Sequence, residues 1–215
     1  MARREVLRTG GGRPGWFVPL RAHGGGCIER TDGYAPVVPY AVTLRLDGAA
    51  ADRVERIWRA LADRTGDDDA LRLGYPPHIT LAVLPDSAPA DALEDAVFRM
   101  AGAWDELPVV LAGLGVFPGT TPVVWAAPVA TERLLSRHAA LHAVLAPLPV
   151  DPHYRVGAWM PHVTLSRSGR VPAARTVEIA AATWSGPIAC RLDRMDVVRF
   201  RPVDVLRSEP LLPCG

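Results

Sequence analysis

The chain has 215 residues, of which 49% are hydrophobic and 22% are charged, and its formal net charge is +1. This length and composition allow one sizeable core or two small lobes that share one, and the near-zero charge argues against a protein that coats long polyanions. Lysine, asparagine and glutamine are absent from the sequence, which excludes a Schiff base, a lysine-linked nucleotide intermediate and a P-loop lysine.

The first 36 residues differ from the rest of the chain. They contain two Gly-Gly-Gly runs and several arginines without sustained periodicity, which predicts a flexible or loosely packed extension. Within it, only residues 16–20 are candidates for an added edge strand. Residues 37–215 are regular in pattern and are predicted to form one two-lobed domain.

Two successive rounds of elements are predicted in that domain. The first comprises strand 38–46, helix 50–65, strand 77–84, a helix capped by Ser87, and strands 107–117 and 122–129. The second comprises a helix that Thr131 caps and Pro147 stops, strand 161–167, helix 172–183, and strands 187–192 and 195–200. Helices are indicated by apolar residues at i, i+3, i+4 and i+7, and strands by runs of β-formers. Helices and strands in this order, with antiparallel connections, indicate an α+β fold.

A seven-residue pattern occurs once in each round. Residues 75–81 read Tyr-Pro-Pro-His-Ile-Thr-Leu, and residues 159–165 read Trp-Met-Pro-His-Val-Thr-Leu. Each copy lies on a predicted strand, where side chains alternate between faces. His78 and Thr80 therefore share one face, as do His162 and Thr164, while aliphatic residues face the helices. A pseudo-twofold axis between the two rounds would bring the polar pairs together across a cleft.

Two histidines that face one cleft suit acid–base chemistry, because one can remove a proton while the other protonates a leaving oxygen. Two threonine hydroxyls can hold the non-bridging oxygens of a phosphate between them. The alternative for either histidine alone is a hydrogen-bonded residue near a strand end. A zinc site is a poorer interpretation, since no third ligand lies at motif spacing. His138 and His142 lie at i, i+4 without a zincin glutamate, and a partly exposed helix face is predicted for them.

These motifs resemble those of the 2H phosphoesterase superfamily, most closely its bacterial and archaeal 2′-5′ RNA ligase branch, also described as RNA 2′,3′-cyclic phosphodiesterases. Residues 113–118 and 122–125 are similar to the family's segment between the motifs, and the resemblance covers residues 37–200. It implies a bilobal, duplicated α+β fold with antiparallel sheets around a central cleft and helices outside. It further implies that the two histidines and two threonines are catalytic.

Three more residues are candidates for substrate binding. Arg167 follows the second motif and could contact phosphate, although strict alternation places it on the opposite face unless the strand ends or twists there. Tyr75 and Trp159 could stack on a base; alternatively, they fill an edge of the core.

The resemblance implies hydrolysis of 2′,3′-cyclic phosphates to 2′-phosphates, without metal or cofactor. RNA 3′ ends and small cyclic nucleotides are both open as substrates. The alternatives are ATP-independent 2′-5′ RNA joining, which some members catalyse, and a nucleotide or RNA binder without turnover. No apolar run approaches the length of a membrane span, and the three cysteines show no metal or disulfide spacing. We therefore expect a cytoplasmic monomer without membrane association.

Overall fold

The computed structural model describes residues 39–167 and 169–214. The predicted extension, its candidate strand at residues 16–20 and Cys27 lie outside the described residues, so the predicted domain boundary stays a prediction. None of the helices within the described ranges is long and apolar enough to cross a membrane.

The elements follow the predicted helix and strand order, with additions. In chain order they are β1 (Tyr40–Leu46), α1 (Gly48–Thr65), α2 (Asp69–Arg72), β2 (His78–Leu84), α3 (Ala90–Ala101), β3 (Leu107–Phe117), β4 (Val123–Pro128), α4 (Glu132–Val144), a 3₁₀ turn (Pro152–Tyr154), β5 (Val163–Ser166), α5 (Ala173–Thr183), β6 (Ile188–Arg199) and β7 (Asp204–Pro210).

All strand pairs are antiparallel, and together they form one seven-stranded sheet in the order β2-β1-β6-β3-β4-β5, with β7 added to β6. This order reads the same backwards if β1, β2 and β3 are exchanged with β4, β5 and β6. The first half of the fold, residues 40–117, is thus repeated by the second half, residues 123–199. The last strand of each half pairs with the first strand of the other half, so that β6 lies beside β1 and β3 lies beside β4. The predicted duplication is therefore confirmed, but the two halves share one continuous sheet.

One core joins the two halves, and the amphipathic helices supply much of it. In α1 the predicted stripe is buried, with Val54, Ile57 and Leu61 each at most 1% exposed. Each such side chain contributes about 1.5–3 kcal/mol through burial. Asp47 caps the start of the helix, because its carboxylate accepts from the Ala50 amide at 3.0 Å. Gly66 caps its end in a left-handed conformation with φ 70°.

Two predicted helix starts have different outcomes. Thr131 caps α4 as predicted, because its side chain accepts from the Leu134 amide. The prediction for Ser87 is wrong: α3 begins at Ala90, and its N-cap position is Pro89, which forms no side-chain cap. Pro89 has no side-chain oxygen to accept from the first amides of the helix, and Ser87 lies two residues before it, too early to act as the N-cap.

The other differences from the prediction concern the strands β6, β7 and β2. The two predicted strands 187–192 and 195–200 form the single strand β6, which pairs with β3 up to Leu192 and with β7 from Arg194. Strand β7 was not predicted. In β2 a bulge leaves Leu81 without a partner between Thr80 and Ala82. The extra residue reverses the alternation, so Val83 packs against a small cluster with Tyr75 instead of facing the helices.

Candidate active site

The two motif strands stand at opposite ends of the sheet order, yet β2 and β5 contact each other. The sheet is therefore curled so that its ends meet, which brings the two motifs together. Residues of both motifs, including His78 and Thr164, line one pocket at this seam. The curled sheet thus brings His78 of one motif and Thr164 of the other to one pocket, whereas Thr80 and His162 are not among its lining residues.

Side chains along both motifs alternate as predicted. Ile79, Leu81, Val163 and Leu165 are at most 2% exposed and lie in the core. The intervening histidines and threonines, namely His78, Thr80, His162 and Thr164, are all half-buried. The four polar side chains thus reach solvent from a sheet that is aliphatic behind them.

Both histidines are held in the same way. His78 places Nδ1 2.8 Å from the Pro76 carbonyl, and His162 places Nδ1 2.8 Å from the Met160 carbonyl. A carbonyl oxygen only accepts, so Nδ1 carries the proton and donates it in each ring. Nε2 is then the unprotonated nitrogen of each neutral ring, and it is the atom left for chemistry.

Burial lowers the pKa of both catalytic candidates below the ordinary histidine value. For His78, the positive charges of His162 and Arg45 lower the pKa further, while its carbonyl partner and Asp196 raise it. For His162, hydrogen bonding to its own carbonyl partner opposes the effect of burial. Both rings are therefore mainly neutral at pH 7, and an anion bound between them would favour protonation of one.

A polar network around Asp196 contacts His78 through the Tyr75 ring. Asp196 is fully buried and accepts hydrogen bonds from Arg45, from the Tyr75 hydroxyl at 2.6 Å and from Ser208 at 2.7 Å. The Tyr75 ring lies 4.8 Å from the His78 ring, centroid to centroid. The ion pair with Arg45 and the two hydroxyl donors satisfy the carboxylate of Asp196, so this charge can stay buried beside the His78 ring.

Of the three sequence-predicted binding residues, Tyr75 and Arg167 line the same pocket as His78, whereas Trp159 is not among its lining residues. Tyr75 is 6% exposed and packs under His78, so little of its ring is open to a base. Trp159 is half-buried, with one ring face stacked on His138 at 3.9 Å. Arg167 is exposed, follows the end of β5 and lines the same pocket as His78. The end of the strand at Ser166 frees Arg167 from strict alternation.

His138 itself departs from the sequence prediction. A partly exposed face was predicted, but the ring is only 2% exposed because Trp159 covers it. His142, one turn further along α4, is half-buried and lies 4.2 Å from His138 between ring centroids. Within residues 39–167 and 169–214, no group of three metal-ligating side chains is found.

Sequence reasoning missed an ion pair at the pocket. Arg201 donates two hydrogen bonds to Asp69, at 2.7 and 2.9 Å, and both residues line the pocket with Arg167. The Arg201 hydrogen bonds are the main reason that the pKa of Asp69 is lowered. The two residues are 132 positions apart, and no local pattern links them.

An aromatic pair beside His162 was also missed. The Phe117 ring lies edge-on to the His162 ring at 5.0 Å and stacks on Trp125 at 5.0 Å. Gly115 makes this possible, since a Cβ there would lie 2.2 Å from the Trp125 ring. The Trp125 Nε1 atom is buried and has no hydrogen-bond partner among the described residues. Alternation along the predicted hairpin could have placed both aromatics on the cleft face.

The sequence matches the profile of the 2′-5′ RNA ligase superfamily over residues 46–204. The protein TT0787 of Thermus thermophilus has a similar fold, with 17% identity and a TM-score of 0.57 over 82% of this chain and 100% of that chain. E. coli LigT in apo form is 18% identical, with a TM-score of 0.54 over 83% of this chain and 99% of that chain. E. coli LigT complexed with 3′-AMP is 18% identical, with a TM-score of 0.53 over 81% of this chain and 98% of that chain. No curated protein sequence matches the chain.

Proposed function

Because the chain belongs to the 2′-5′ RNA ligase superfamily, we propose that it is a phosphodiesterase that opens 2′,3′-cyclic phosphates to 2′-phosphates. The observation that carries the proposal is the matched arrangement of His78 and His162. Each ring donates Nδ1–H to a carbonyl two residues earlier, which leaves Nε2 unprotonated and available to accept a proton. Two such rings provide a general base and a general acid with no metal in the reaction.

The reaction needs one neutral and one protonated histidine. The Nε2 of the neutral ring takes a proton from water as the water oxygen bonds to phosphorus, and the P–O3′ bond breaks. The protonated ring gives its proton to O3′, which leaves a 2′-phosphate and a 3′-hydroxyl. The matched motifs allow either histidine to take either role.

The remaining groups hold the phosphate. The hydroxyls of Thr80 and Thr164 donate to its non-bridging oxygens, where negative charge develops in the transition state. Arg167 lies beside the pocket and adds a fixed positive charge. Anion binding also raises the pKa values of the two histidines toward neutrality, and this supplies the protonated ring that the leaving group requires.

The aromatic pair Phe117 and Trp125 is proposed to stack on the nucleobase, since the two rings lie 5.0 and 6.0 Å from the His162 ring between centroids. Base–aromatic stacking tolerates every base, and the chain has no asparagine or glutamine to read an adenine edge. We therefore propose RNA 3′ ends or small cyclic nucleotides as substrates, with a preference among the four bases below about a hundredfold.

The test is hydrolysis of 2′,3′-cyclic AMP and of a cyclic-ended oligonucleotide, with the phosphate position in the product assigned by ³¹P NMR. We expect His78→Ala and His162→Ala each to lower kcat by roughly two to four orders of magnitude. Thr80→Ala and Thr164→Ala should lower it less and raise KM. The exposed His153 supplies the control substitution His153→Ala.

Three outcomes would contradict the proposal. Near wild-type rates in either motif-histidine variant would remove the two-histidine mechanism. Activity that EDTA abolishes and a divalent metal restores would show that the chemistry depends on a metal. Cyclic-nucleotide binding without any turnover would instead favour a non-catalytic binder.

A further inference from the structure

Each motif threonine has its backbone carbonyl bound by a tryptophan. The indole Nε1–H of Trp159 donates to the Thr80 carbonyl at 2.9 Å, and that of Trp58 donates to the Thr164 carbonyl at 3.1 Å. Trp58 lies on α1 in the first half of the fold, whereas Thr164 belongs to the second half. Trp159 and Thr80 have the opposite arrangement, so both bonds cross between the halves.

The position of the two strands explains why these bonds matter. Among the described strands, β2 pairs only with β1, and β5 pairs only with β4. Backbone carbonyls on their outer edges therefore have no neighbouring strand within residues 39–167 and 169–214 to donate to them. At Thr80 and Thr164, the indole N–H groups supply the hydrogen bonds that a neighbouring strand would otherwise donate.

Further contacts hold Trp159 and the β2 edge in place. His138 stacks on the Trp159 ring with an angle of 4° between the ring planes and bonds through Nε2 to the Tyr154 carbonyl. His142 places Nε2 3.0 Å from the Leu81 carbonyl, next to Thr80. Trp58 is 7% exposed and is fixed by the core. Both indoles are thus rigid donors.

We infer that Trp58 and Trp159 are positioning residues that set the two threonine hydroxyls across the cleft, each tryptophan acting on the motif of the other half. A peptide unit that rotates at an edge strand carries the neighbouring Cβ with it, so a fixed carbonyl fixes the threonine Cβ, and the restricted χ1 of this β-branched residue then sets the hydroxyl. The inference rests on the proposed function in one respect, the assignment of the threonine hydroxyls to phosphate oxygens. Misplacing such a group by about 1 Å can cost up to a hundredfold in rate.

The test uses Trp58→Phe and Trp159→Phe, which remove the indole N–H and keep an aromatic ring. Each is combined with Thr80→Ala and with Thr164→Ala in double-mutant cycles. The readouts are the Kd for inorganic phosphate, followed by NMR of the histidine rings, and kcat and KM for 2′,3′-cyclic AMP. Trp184→Phe is the matched control, because Trp184 packs against the core at the end of α5 and is bonded to neither motif.

We expect Trp159→Phe to weaken phosphate binding about three- to tenfold in the wild-type background and less than about twofold in Thr80→Ala, since its effect passes through Thr80. Its full effect should persist in Thr164→Ala. Trp58→Phe should show the reverse pattern. The kcat values should follow the same crossed pattern. The control Trp184→Phe should change neither the Kd for phosphate nor kcat.

Equal losses in both threonine backgrounds would show a general structural role and overturn the inference, as would no loss at all. Absence of phosphate binding by the wild-type protein would overturn it too. A crossed pattern in phosphate affinity without turnover of any cyclic nucleotide would instead refute the proposed function alone. If Trp58→Phe does not fold, the Trp159 cycles with the two threonines decide the question.

Discussion

Acidification should destabilise this protein through His138. Its ring is 2% exposed between Trp159 and His142, and burial, with the charge of His142, lowers its pKa to about 4. As the pH falls from 7, the unfolded chain takes up this proton near pH 6.5, before the folded protein does. Stability is therefore full above about pH 6.5 and is lost as the pH falls toward 4.

The size of the effect follows from the shift. Each pH unit between the two pKa values costs about 1.36 kcal/mol, which gives about 1–2 kcal/mol at pH 5 once solvent screening is allowed for. Urea unfolding followed by tryptophan fluorescence, at pH 7.5 and pH 5.0, measures the loss. In His138→Gln the acid-induced loss should be smaller than in the wild type by that amount.

The control is His153→Gln, which replaces a histidine whose side chain is 53% exposed. Because the His153 ring lies 3.0 Å from the Asp151 carboxylate, this variant should not show the smaller acid-induced loss that is expected for His138→Gln. An unchanged acid-induced loss in His138→Gln would refute the reasoning, because His138 would then not be a buried neutral ring. Equal m-values at both pH values are needed for the comparison.

Three other predictions concern the site and its surroundings. Tyr75→Phe removes a donor to the fully buried Asp196, so the free energy of unfolding should fall by about 1–3 kcal/mol in urea titrations; an unchanged value would show that water replaces the hydroxyl. Gly115→Ala places a methyl group 2.2 Å from the Trp125 ring, and the overpacking should cost about 1–3 kcal/mol and shift Trp125 fluorescence; wild-type stability and spectrum would contradict the close approach. Any joining of cyclic-ended and 5′-hydroxyl RNA should proceed without ATP, since no lysine can form an adenylate; an acid-labile protein–AMP adduct would refute this.

Local pattern was sufficient to predict the motif strands. His78, Thr80, His162 and Thr164 alternate with aliphatic residues, and burial of the aliphatic set fixes which way the polar side chains face. The same periodicity located α1, because its apolar stripe has only one way to reach the core. The pairing of the two motifs followed from their repetition in sequence.

Contacts between distant residues were beyond such patterns. Arg45 and Asp196 are 151 positions apart, and nothing near either residue indicates its partner. The indole bond from Trp58 to Thr164 spans 106 positions, and α1 would look equally amphipathic without it. β6 was divided in the prediction because Asp193 and Arg194 interrupt its apolar run. In the structure these residues lie where one neighbouring strand replaces another.

The reversible strand order also bears on how such a chain could arise and assemble. A β1-to-β3 unit expressed alone would present unpaired strand edges where the second half normally sits. Two copies of that unit could satisfy each other by exchanging their third strands, as a domain-swapped homodimer does. The present chain then corresponds to such a dimer with its two subunits covalently linked through residues 118–122. Cutting the chain within this loop should leave two fragments that are aggregation-prone apart and that regain the cleft when refolded together.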